Sequence, residues 1–143
     1  MNKPISTRVH GIIDYTWAAT ASTLAGRMNG ATSTARLLSA AANAATASAL
    51  LTKYEFGALP VLPMKGHLAV DALLCSALIA APLLVPASER RHAAVPVMLG
   101  IAGLITGILT QTRSPQEVQE EFGGFYGGDE RSIADLEPET PAI

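Results

Sequence analysis

Val95-Pro-Val-Met-Leu-Gly-Ile-Ala-Gly-Leu-Ile-Thr-Gly-Ile-Leu109 carries no charge, and its one hydroxyl is Thr106. A helix on the surface of a globular protein shows polar residues on one face at helical spacing. This stretch has no such face. It lies near the length, about 20 residues, that crosses a ~30 Å hydrocarbon layer. Three further apolar stretches precede it: Val9–Gly26, Leu37–Leu51 and His67–Val85. The third carries Asp71, and the first two are rich in Ala, Ser and Thr. Small residues at helical spacing (Ala40, Ala44, Ser48; Gly100, Gly103, Gly107) suit close helix contacts in lipid. Residues 37–52 and 93–112 contain no charged side chain. The expected fold is all-α, with four transmembrane helices and no strand.

The breaks between stretches carry turn chemistry. Ser6 can cap the first helix, and Ser33 or Thr34 the second. Residues 26–30, the Pro-containing segment 54–63 and the segment 86–91 read as connections, and Pro115 ends the last helix. A basic start and Ala19-Thr-Ala21 resemble a signal peptide, but Asp14 interrupts its apolar region.

Composition agrees and excludes several classes. The 143 residues are 49% hydrophobic and 15% charged, below the roughly 25% charged usual for globular domains. A net charge of −2 excludes a basic nucleic-acid binder, and one cysteine excludes an internal disulfide framework. The balance is uneven, however. Residues 1–114 hold nine of the ten basic residues and four acids, while 115–143 hold eight acids and Arg131. The latter segment reads as an acidic tail, disordered over most of its length, in which Gln116–Phe122 can form a short amphipathic turn or two. Within it, Phe122, Phe125 and Tyr126 stand among glycines and acids, as a candidate docking motif for a partner protein.

The body repeats. His10-Gly-Ile-Ile-Asp14 and His67-Leu-Ala-Val-Asp71 share His-x-x-x-Asp 57 residues apart, each opening an apolar stretch. Leu50-Leu-Thr52 and Ile108-Leu-Thr110 match at an offset of 58, each closing the following stretch. The chain thus divides into two tandem helical hairpins, 1–57 and 58–114, and the tail 115–143. Duplicated hairpins place both His/Asp pairs near one face. The terminal side then carries five basic residues against four, which puts both termini in the cytoplasm.

His10-x-x-x-Asp14-Tyr15, Leu51-Thr-x-Tyr-Glu-x-Gly57 and Pro63-Met-x-x-His-x-x-x-Asp71 resemble small bacterial membrane proteins of the SPW-repeat type, over roughly residues 5–112. The resemblance implies two helical hairpins in tandem, a bacterial inner-membrane location and no established activity.

His and Asp at i and i+4 share a helix face. Two such pairs facing one another give two imidazoles and two carboxylates. His10, Asp14, His67 and Asp71 are therefore candidate ligands for Zn, Fe or Mn. Ahead of that stands a closed His–Asp lock that pins the first helix to the third and needs no cofactor, and behind it a proton relay and, last, two histidines for one haem. Two functions follow. One is a structural or accessory membrane subunit, as a homo-oligomer or in a larger complex. The other is a membrane enzyme or carrier built on the His2Asp2 cluster. Lesser candidates are Cys75 as packing or a thiol ligand, Trp17 beside Asp14, His92 in a loop, and Glu55, which can reach the cluster or pair with Lys53 or Lys65.

Overall fold

The computed structural model describes residues 3–28 and 32–126, with the side chains of 124–126 not described. The described chain is all-helical: α1 (Thr7–Arg27), α2 (Ser33–Leu51), α3 (Met64–Ile79), α4 (Ala81–Leu84), a 3-10 turn (Ala87–His92), α5 (Ala94–Leu109) and α6 (Pro115–Tyr126). Ser6 caps α1 by accepting from Val9 N–H at 3.3 Å. Thr32, one residue before the expected caps, does the same for α2 through Ala35 N–H at 3.1 Å. A hydroxyl acceptor here satisfies one of the four amides a helix start leaves free.

Four long helices form a ring in which α1 packs on α2, α2 on α3, α3 on α5 and α5 on α1. The pairs α1/α3 and α2/α5 therefore face each other across the diagonals. The apolar core fills one end, where Ala21 and Ala25 of α1 meet Ala35, Leu38, Ala41 and Ala42 of α2 and Leu78 of α3. Alanines at these positions let α1 and α2 approach closely. At Gly100 of α5 the approach is closer still, since an added Cβ would lie 2.6 Å from the Cys75 carbonyl oxygen.

The other end is tied by two short parallel bridges. Ile5, before α1, pairs with Thr110, after α5; Leu62, before α3, pairs with Thr52, after α2. The bridging bonds run from Gln111 N–H to Ile5 O (2.9 Å) and from Lys53 N–H to Leu62 O (2.8 Å). The bridges relate to each other by the same 57- and 58-residue offsets as the sequence repeat.

The four-span expectation is overturned. No helix among the described residues is long and apolar enough to cross a membrane. The two most apolar stretches make helices of 16 residues, about 24 Å long against a ~30 Å hydrocarbon layer. Pro82 splits the third stretch into α3 and α4 by denying the ladder an amide. The fourth ends at Thr110, which turns extended to bridge Ile5. The longer α1 and α2, of 21 and 19 residues, are diluted by Thr, Ser, Ala and charged side chains. The multi-pass inner-membrane location and the cytoplasmic termini fall with the spans. The fourth stretch instead buries Pro96 and Gly100 and leaves Met98, Ile101, Ile105 and Ile108 exposed as one stripe.

The acidic tail is also corrected in part. Pro115 does not end a helix but begins α6, as its fixed φ favours. Residues 115–126 are thus helical rather than disordered. Lys53 holds Glu120 at 2.7 Å and Arg113 holds Glu121 at 2.9 Å. Glu117 accepts from the amides of Ser114 and Met64, capping α6 and the start of α3 together. Phe122 is exposed. The side chains of Phe125 and Tyr126, and residues 127–143, lie outside the described residues.

Gly100→Val should destabilise the fold by roughly 3 kcal/mol, because backbone rather than a flexible side chain must give way. Gly107→Ala, where a Cβ meets nothing within 4 Å, should be neutral or stabilising by up to ~1 kcal/mol. Urea denaturation of the two variants checks the contrast.

Candidate metal centre

At the bridged end, the four candidate residues converge. α1 brings His10 and Asp14, and α3 brings His67 and Asp71, across the diagonal of the ring. Both imidazoles are fully buried, and the two carboxylates are slightly exposed at 11% and 14%. The two Nε2 atoms lie 3.2 Å apart. His10 Nε2 lies 3.3 Å from Asp14 Oδ1 and 3.2 Å from Asp71 Oδ2. His67 Nε2 lies 3.0 Å from Asp14 Oδ2 and 3.1 Å from Asp71 Oδ2. One ligating atom from each residue fits within a 4.8 Å span.

The opposite ring nitrogens decide the tautomers. Thr110 Oγ1 gives its proton to Thr106 O at 2.7 Å and lies 2.8 Å from His10 Nδ1. Thr52 Oγ1 gives its proton to Ser48 O at 2.6 Å and lies 2.9 Å from His67 Nδ1. A hydroxyl has one proton. With it spent on a carbonyl, each threonine accepts from the imidazole, so both Nδ1 atoms carry hydrogen. Ser48 Oγ lies 2.8 Å from the same nitrogen of His67. In the neutral rings both Nε2 atoms are then bare lone pairs that face each other and two carboxylates. That arrangement is repulsive unless positive charge sits among the four groups, as protons on Nε2 or as a cation.

Burial works against a charged His67, but hydrogen bonds to Asp14 and Asp71, and their charges, outweigh it and raise its pKa to about 9. Burial likewise opposes ionisation of Asp71, yet the two histidines win and lower its pKa.

The shell around the cluster is tight on one side. The Tyr54 ring lies tilted beside the His67 ring, with centroids 5.8 Å apart. Gly11 makes room for it, since a Cβ there would collide with the Tyr54 ring. Tyr54 is fully buried and its hydroxyl has no hydrogen-bond partner among the described residues. Burial, then the Asp14 charge, raises its pKa. On the other side a cavity of about 30 Å³ touches His10, Asp14, Asp71, Trp17 and Thr106, space for a water or two.

The remaining candidates sit apart. Glu55 does not join the cluster, nor does it pair with Lys53 or Lys65; it accepts from Thr7 Oγ1 at 3.0 Å. Trp17 Nε1–H donates to Leu99 O at 3.1 Å. Cys75 packs against Gly103, and burial pushes its thiol up to about 11, so it is a poor thiolate. His92 accepts from Arg91 Nε–H at 3.0 Å. The sequence places Ser48 in a small-residue stripe and gives Thr52 and Thr110 no role at the cluster. The repeated Leu-Thr at offset 58 marked both threonines, and their helix ends are where a hydroxyl can spend its proton on the preceding turn.

No protein-family model matches the chain, and neither a curated protein nor a solved structure matches it.

Two outcomes follow. In metal-free protein, the stability gained by protonating His67 is fully present below pH ~6.5 and disappears as pH rises through about 9. That loss is about 3 kcal/mol if the shift is fully expressed. Asp71 contributes the opposite flank, lost only in acid as pH falls below the usual carboxylate range. Denaturant midpoints from pH 5 to 10 in chelator should therefore fall across the alkaline half, and those of His67→Gln should stay flat there. Tyr54→Phe should stabilise metal-free protein by about 1 kcal/mol, because it removes an unpaired buried hydroxyl.

Proposed function

We propose that this is a metal-binding helical protein whose centre is His10, Asp14, His67 and Asp71, holding one divalent cation of the zinc type. The observation that carries the reading is the pair of Nε2 atoms 3.2 Å apart, each ring having its other nitrogen within hydrogen-bond distance of a threonine hydroxyl. Donors ~2.0 Å from a tetrahedral ion are about 3.3 Å from one another. The five His–His and His–Asp separations run from 3.0 to 3.3 Å, with Asp14 using either oxygen. Two neutral imidazoles, two carboxylates and a divalent ion sum to zero charge, which suits a buried site. Hydrogen bonding of the distal nitrogen is what metal-bound histidines require.

A second reading has its own support. The raised pKa of His67 lets protons supply the positive charge near neutrality. The same four side chains then act as an ionic lock between α1 and α3, in a structural subunit. The exposed stripe Met98, Ile101, Ile105 and Ile108 supports a place in a homo-oligomer or larger complex. Kinship with SPW-repeat proteins is likewise a proposal. Its support is that all three resembling motifs deliver residues to the cluster or its shell.

Metal analysis of purified protein supplied with zinc, manganese and iron tests the reading. The wild type should hold about one equivalent of zinc, and His10→Gln/His67→Gln none. Thr52→Val/Thr110→Val should bind about 10–100-fold more weakly. Folded wild type that retains none of the three metals contradicts the metal centre and leaves the lock.

A further inference from the structure

A groove between α3 and α5 offers the cluster a second approach. It encloses about 270 Å³ and its wall is apolar, with Leu68, Leu104 and Ile108 along it. Asp71, the more exposed of the two candidate acidic ligands, lines it. Lys3 and Lys65 line it too, and neither pairs with a carboxylate among the described residues. Lys65 precedes Asp71 by six residues on α3, about 9 Å along the axis. The groove thus has a cationic end, an apolar wall and, about one and two-thirds turns away, a ligand of the proposed centre.

We propose that this groove, which runs up to the metal centre, is a binding site for a small amphipathic anion, a carboxylate on a chain of about five or six carbons. The carboxylate sits between the two ammonium groups, where charge-assisted hydrogen bonds replace water. The chain covers Leu68, Leu104 and Ile108, and its far end abuts Asp71. Two lysines without a carboxylate partner among the described residues select against cations, and the ~9 Å rise from Lys65 to Asp71 bounds the chain length. The role as an approach to a metal rests on the preceding proposal, but occupancy of the groove does not.

Calorimetric titration of hexanoate into the full, zinc-supplied chain tests it, with hexylamine as the charge control and zinc content measured on the same samples. Hexanoate should bind and hexylamine should not. Gly107 lines the groove where a Cβ meets nothing within 4 Å, so Gly107→Leu should fill it. That variant should lose hexanoate binding while its zinc content stays at the wild-type value. Lys3→Gln/Lys65→Gln should weaken hexanoate about tenfold. Zinc-bound wild type that does not bind hexanoate, equal binding by Gly107→Leu, or equal binding of hexylamine each overturns the proposal. Hexanoate binding with these variant effects in protein that holds no zinc keeps the groove and removes the metal.

Discussion

Two imidazole nitrogens that both lack hydrogen repel when they face each other 3.2 Å apart, and two carboxylates at similar range add to the repulsion. Positive charge among them reverses the sign of every one of these contacts. The four long helices all contribute to this arrangement. α1 and α3 bring the four charged or chargeable groups. The ends of α2 and α5 bring Thr52 and Thr110, which fix the tautomers, and Ser48 of α2 assists. Each histidine is backed by a threonine of the other repeat, so neither hairpin completes its half of the site alone.

The opposite end of the ring sets how closely the helices stand. Alanines between α1 and α2, and Gly100 against the Cys75 carbonyl, bring backbones together. The short bridges Ile5–Thr110 and Thr52–Leu62 then fix where the helices stop. An apolar clamp at one end and paired bridges at the other leave the cluster little freedom, as preorganisation of ligating side chains requires. The more open sides are the small cavity beside Trp17 and the groove beside Asp71.

Much of this was legible in the chain. The all-helical character follows from apolar runs without strand alternation. The two His-x-x-x-Asp motifs, 57 residues apart, identified the four residues that converge. The threonines were visible as repeat positions, but their role depends on which hairpin each reaches, and that is tertiary. The membrane spans were misread for a physical reason. Hydropathy registers the absence of charge, whereas helix length depends on breaks such as Pro82 and on the bridge that takes Thr110 out of α5. The start of the acidic segment reads as tail because its charges dominate composition. Lys53, Arg113 and the amide of Met64, far away in sequence, give Glu120, Glu121 and Glu117 their partners.

The central claim is that the charge at the middle of the cluster is a metal ion held by four side chains. Zinc-edge X-ray absorption on the purified protein reads that shell directly. The account predicts four nitrogen or oxygen neighbours at about 2.0 Å, with outer-shell scattering from two imidazole rings. A thiolate sulfur at about 2.3 Å, or a shell of oxygens without imidazole scattering, would contradict it.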